Sequence, residues 1–212
     1  MDLNNMENKN LDLWNRVEKT DPDFVKDASI GKRKITAIDP QYQLKNATRE
    51  FGQYGVKWGL KDIEWGMIEI GDTKLATLSA IFFTPDGEVA TGNSMKMSYM
   101  SKGYNGQAGY IVIDDDYRKK LMTNTISKEL SRLGFNADVF MGKWDDEKYV
   151  QKLAEEKEQG KLEFEKARVI KELKEINDVE KMREYYKENI GLGVEIEKLM
   201  ADKGNELKKE ND

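Results

Sequence analysis

The 212-residue chain contains neither histidine nor cysteine. That excludes His general bases, Cys nucleophiles, Ser-His-Asp triads, Cys/His zinc sites and disulfides together. Any bond chemistry would have to run on carboxylates, lysine or tyrosine, and the carboxylate groupings are few. Pro85-Asp86-Gly87-Glu88 stands beside a strand-like run. A metal-dependent nuclease would need a carboxylate-x-lysine there, and Glu88 is followed by Val89-Ala90. Asp114-Asp115-Asp116 offers the oxygen ligands of a hard cation, yet it also precedes a helical pattern, where acidic residues favour the helix start, and that capping role is the better fit. No G-x-x-x-x-G-K-[ST] occurs, since Gly31-Lys32 lacks the upstream glycine and the following Ser/Thr. The expectation is a binding protein and not an enzyme, with no cofactor and no metal.

The basic residues are more suggestive. Lys32-Arg33-Lys34 follow Gly31 in what reads as a loop, and three adjacent cations repel one another unless a polyanion is near. Lys96 and Lys102 flank the end of a strand-like run, with Tyr99, Tyr104 and Tyr110 interleaved. Cations for phosphates and rings for bases suit single-stranded nucleic acid. Over 116–133, Met122, Ile126, Leu130 and Leu133 form an apolar stripe. At about 100° per residue, Arg118, Lys120, Lys128 and Arg132 fall on the remaining arc. Taken singly, each is more often an ordinary solvated charge, or a tyrosine covering a sheet edge.

These residues need a scaffold, and the sequence outlines one. Asp39-Pro40, then Leu44, Ala47, Phe51 and Gly52, give an N-cap, a proline at the first helical position, an apolar face and a terminating glycine. Runs at 56–71, 74–85 and 88–98 are rich in β-branched and aromatic residues and are separated only by short turns. They must pair antiparallel, because parallel pairing needs a crossover of about a dozen residues or more. The helix over 116–133 then covers one face, giving an α+β fold with a β-β-β-α core.

Composition changes after Trp144. Residues 145–212 hold 15 of the 35 basic and 20 of the 40 acidic residues, so the remainder is neutral and the net charge of −5 falls in this last third. Val169, Leu173, Ile176, Met182, Tyr186 and Ile190 follow helical spacings, Asp178 can cap a helix, and Gly160, Gly191 and Gly193 punctuate. The expected organisation is a core domain at 1–150 and a charged helical extension of two to four helices at 151–212. No stretch approaches the roughly 18 apolar residues of a membrane span, and the N-terminus lacks a signal-peptide pattern. A soluble, intracellular protein with no membrane partner is expected.

The run RKITAIDPQYQLKNATREFGQYGVKWGL, the meander, and KKLMTNTISKELSRLGFNADVFMG resemble the single-strand DNA annealing proteins of the Rad-fifty-two superfamily, in particular the small phage-encoded Sak-type recombinases. The resemblance covers about residues 11–150, and its most specific pieces are Ala37-Ile38-Asp39 leading to Glu50-Phe51-Gly52, and LGFNADVFMGKWDDEKYV. It implies a homo-oligomeric ring or filament that holds single-stranded DNA in a basic groove and pairs complementary strands in recombination and repair. A bacterial cytoplasm is the implied compartment, with a single-strand-binding protein or an exonuclease as further partners. By position it implies Lys128 on the long helix, with Arg132 and Lys120 near it, Lys32 and Arg33 ahead of the core, and Lys96 and Lys102 after the meander. This chain departs from the pattern at Ser127, where a basic residue is expected, and at Asn124 after Thr123, where an acidic one is. The alternative is an oligomeric scaffold or interaction protein of a phage replication or recombination complex, without annealing activity.

Overall fold

The computed structural model describes residues 9–30, 33–103 and 108–210, with only the backbone described for Ile30, Arg33 and Glu210. The chain forms two compact units, residues 1–146 and 147–212. The boundary lies four residues ahead of the expected division at 150/151 and two beyond the change of composition at Trp144, because a helix begins at Glu147. Asp145 and Asp146 therefore belong to the first unit. Its formal charge is −2, from 20 basic and 22 acidic residues, which leaves −3 for the second.

The first unit opens with helix α1 (Asp12–Val17), followed by a hairpin of β1 (Val25–Ile30) and β2 (Arg33–Ile38). The hairpin register runs from Val25 opposite Ile38 to Ile30 opposite Arg33. Helix α2 (Pro40–Phe51) begins where its cap predicts: the Asp39 carboxylate accepts from Gln41 N at 2.7 Å and Tyr42 N at 3.4 Å. It ends at Gly52, whose φ of +93° suits a residue without a Cβ.

The three expected strands follow as β3 (Gly59–Ile70), β4 (Thr73–Thr84) and β5 (Gly87–Met100). A short fourth strand, β6 (Ile111–Ile113), pairs with the end of β5, giving the antiparallel order β3-β4-β5-β6. Register shifts at Lys61/Glu64 and Lys74/Leu75 bend the sheet into a half-barrel.

Helix α3 (Tyr117–Arg132) covers one face. Side chains alternate along a strand, and Ala76, Leu78 and Ala80 of β4, with Met95 and Met97 of β5, pack with Leu121 and Met122 of α3. Farther along, Ile126 and Leu130 join a second cluster with Val17, Ala47, Phe51, Trp58, Phe82 and Phe135. The buried face of α3 is thus wider than the expected stripe: it includes Leu121, Thr125 and Glu129, because sheet and α2 meet the helix from two sides. A short helix α4 (Ala137–Phe140) and a 3-10 turn (Lys143–Asp145) complete the unit.

The second unit has three helices, α5 (Glu147–Leu173), α6 (Val179–Glu188) and α7 (Val194–Glu210). Its own core joins Val169, Leu173, Met182, Ile196, Met200 and Leu207, with Ile176 and Tyr186 partly buried beside it. Asp178 caps α6 by accepting from Lys181 N at 2.8 Å. Gly191 and Gly193 separate α6 from α7, but Gly160 lies inside α5 and Ile190 is exposed, so neither plays its expected part. Among the described residues no helix is long and apolar enough to cross a membrane.

Candidate nucleic-acid interface

The cations sort by what already holds them. Lys128 is exposed on α3 and has no ion-pair partner among the described residues. Arg132, one turn on, donates to Glu129 Oε1 at 2.8 Å and Oε2 at 3.1 Å. Glu129 is only 2% exposed and also accepts from Thr91 Oγ1 of β5 at 2.6 Å. Arg132 thus neutralises a buried carboxylate, and only its outer edge is left for a ligand. Lys120 donates to both oxygens of Asp114, at 2.8 and 2.7 Å. That hydrogen bond raises the ammonium above its ordinary range, and the charges of Asp114, Asp116 and Asp115 add to it.

Asp114 also accepts from Asp116 N at 3.1 Å, so it organises the start of α3, whereas Asp116 itself makes no side-chain cap. Among the described residues no cluster of His, Cys, Asp or Glu is arranged to hold a metal ion. Glu88, the other carboxylate considered for metal chemistry, pairs with Lys61 at 2.6 Å.

Lys96 is opposite Leu75 in the β4-β5 ladder, out of phase with Met95 and Met97. Its side chain therefore leaves the sheet on the face that α3 does not cover, with its ammonium 5.3 Å from the centre of the Tyr99 ring. Lys102 is exposed just beyond β5. The structure does not gather Lys96 with the cations of α3. Lys32 and Tyr104 lie outside the described residues. Arg33 and Lys34 are strand residues of β2 and not members of a loop, since Arg33 pairs with Ile30.

Strand β2 and helix α3, far apart in sequence, do meet. A groove of about 450 Å³ opens between β2, α2, α3 and α4, lined by Lys34, Gln43, Ser127, Phe140, Trp144 and Asp145 among others. Ser127 directly precedes the exposed Lys128, whose own side chain is not among those that line the groove. Gln43 and Ser127 tie α2 to α3 through a hydrogen bond from the serine hydroxyl to the amide oxygen. Trp144 is in turn held by a buried polar network. Asp138, fully buried, accepts from Thr20 N at 2.9 Å, Thr20 Oγ1 at 2.6 Å and Trp144 Nε1 at 2.9 Å. Asn136, at φ +58°, donates from Nδ2 to Thr20 Oγ1 at 2.9 Å.

The segment NADVFMGKW therefore fixes Trp144 through buried Asp138, while Phe140 is 55% exposed. Gln43, Lys34 and Trp144 were the groove residues that sequence left unassigned. Only Lys34, as part of a basic triplet, gave a signal. No protein-family model matches the chain, and no curated protein is similar to it in sequence.

Proposed function

We propose that the chain is a phage-type single-strand DNA annealing protein that binds its strand along the groove between β2 and α3 and promotes pairing of complementary strands in recombination. The observation that carries this reading is the meeting of the basic hairpin strand, through Lys34, with Ser127 of α3, the residue before the exposed Lys128, at one groove of a β-β-β-α unit. Annealing requires no bond chemistry, which agrees with a chain lacking His and Cys. Phosphates are neutralised by lysine and the strand is held extended, so that two strands approach with less repulsion.

The reading includes a homo-oligomer. Edge strand β3 exposes Trp65, Met67, Ile68 and Ile70, and the opposite edge, at β6, exposes Ile111 and Ile113 with Tyr110 beside them. Unpaired edges with apolar side chains are sites for another chain. The two edges differ, so β3 of one copy on β6 of the next gives a head-to-tail contact that propagates to a ring or filament.

The pairing of Lys120 and Arg132 with carboxylates favours a second reading, an oligomeric scaffold of a replication or recombination complex without annealing activity. A fluorescence assay with complementary oligonucleotides separates the two. The annealing reading expects a faster pairing rate with protein, and single-strand affinity that falls steadily as salt rises. No acceleration and no salt-dependent binding would leave the scaffold. Sedimentation should show assemblies larger than a monomer, and a monomer at all concentrations, with or without DNA, would count against both.

A further inference from the structure

We infer that the groove between β2 and α3 seats one unstacked nucleobase of the bound strand, with Phe140 and Trp144 against its face and Gln43 at its edge. The inference rests on the strand-binding reading above and adds what the groove holds. Its volume, about 450 Å³, lies within the range of small-ligand sites, about 300–1,000 Å³. A phosphate would ask for an excess of cations and donors. Here Lys34 shares the groove with the Asp145 carboxylate, so the two formal charges cancel, and much of the remaining lining is aliphatic or aromatic. A planar, uncharged ring with polar edges fits that lining better.

Two features look prepared for such a ring. Trp144 is held by the hydrogen bond from its indole to buried Asp138, which fixes its plane and lowers the ordering cost of stacking. Phe140 belongs to neither hydrophobic cluster of its unit and is 55% exposed, yet it borders the groove.

A third feature concerns Gln43 of α2. Gln43 is 2% exposed, its Oε1 accepts from Ser127, and its Nε2 has no partner among the described residues. Turning the amide over exchanges the atoms but still leaves one of them unpartnered. An unsatisfied buried amide is destabilising, and a base edge carries both donors and acceptors that complete it. Lys34, exposed to solvent, can reach out of this neutral groove to the phosphate next to the seated base.

The test uses the full chain, a labelled single strand, and the same strand carrying abasic sites throughout, compared over a salt series. The wild type should bind the abasic strand about ten-fold more weakly, in line with base-aromatic stacking, with an unchanged salt slope because the phosphates are the same. Phe140→Ala should lose a similar factor on the intact strand and little more on the abasic one. Gln43→Leu should also weaken binding of the intact strand and do little more to that of the abasic one. Equal affinity of the wild type for both strands, with a clear salt slope, overturns this inference and leaves strand binding standing. Discrimination that persists undiminished in both variants places the base elsewhere and overturns it too. Binding of neither strand at low salt overturns the strand-binding reading, and this inference with it.

Discussion

Glu129 decides what Arg132 can do. A carboxylate almost fully buried between α3 and β5 needs its charge balanced, and Arg132 supplies that balance from the surface. Removing the guanidinium strands the carboxylate on its Thr91 hydrogen bond alone, so Arg132→Ala is expected to destabilise the first unit by about 1–3 kcal/mol, read by urea unfolding. Its effect on DNA affinity should be small beside that loss. Lys128 is the reverse case: exposed and without an ion-pair partner among the described residues, it contributes nothing to the core. Lys128→Ala should leave the unfolding midpoint unchanged and weaken binding to all single strands alike. For one lost phosphate contact, the slope of log affinity against log salt should fall by roughly 0.7. A slope equal to the parent's would remove Lys128 from the interface. Helical spacing alone places the two residues on one basic arc and cannot tell them apart, because the distinction lies in Glu129, whose burial depends on β5.

At the scale of elements, the end of α3 is fixed by a close approach. Gly134 has φ +97°, and a Cβ there would stand 2.7 Å from the Trp14 ring of α1. Gly134→Ala combines a left-handed backbone with overpacking against a rigid indole, and should cost about 1–3 kcal/mol in urea unfolding, far more than an alanine in a helix interior. In the second unit the joint between α5 and α6 is the Tyr185 hydroxyl donating to Glu172 at 2.6 Å. Burial first, then this hydrogen bond beside a carboxylate, push the phenol up from 10 to about 12. A raised folded-state value means that the stabilisation is complete below pH 10 and is lost as pH rises from 10 through about 12. Thermal melts of the chain should therefore fall over that window, and Tyr185→Phe should make the fall shallower; equal slopes would unlink Tyr185 from it. Elements with local signals were legible in the sequence: the Asp39-Pro40 cap, the three long strands, the helix after Asp114 and the Asp178 cap. The β1-β2 hairpin was not, since VKDASI and RKITAI are short and mixed and their pairing is set by the half-buried face they share. Neither was the buried polar network that holds Trp144, where Asp138 is buried by a partner at Thr20, 118 residues away in sequence.

Across the whole molecule, each unit buries its own core, and every cation assigned to the strand lies in residues 1–146. Composition alone places the entire net charge of −5 beyond residue 144, which implies a modest repulsion of phosphate by the tail. The boundary at 146/147 moves two of those carboxylates into the first unit and leaves −3 on the second. Moreover, many charges of α5 neutralise one another locally, in pairs such as Lys161 with Glu158, Lys166 with Glu163 and Arg168 with Glu165. Surface pairs of this kind contribute little stability, but they flatten the field that a strand would feel beyond a Debye length of about 8–10 Å. Shortening the chain to residues 1–146 should thus leave single-strand affinity unchanged or raise it by no more than a few-fold, with the difference shrinking as salt rises. Cutting before Trp144 should instead unfold the first unit, because it removes the indole donor that Asp138 needs. Oligonucleotide affinity and sedimentation, compared for the full and shortened chains at matched salt, decide the matter. A shortened chain that stays folded but loses the strand would move essential contacts into α5, α6 or α7. One that keeps the strand but loses its assembly would make the helical unit the assembly element, ahead of the exposed edges of β3 and β6.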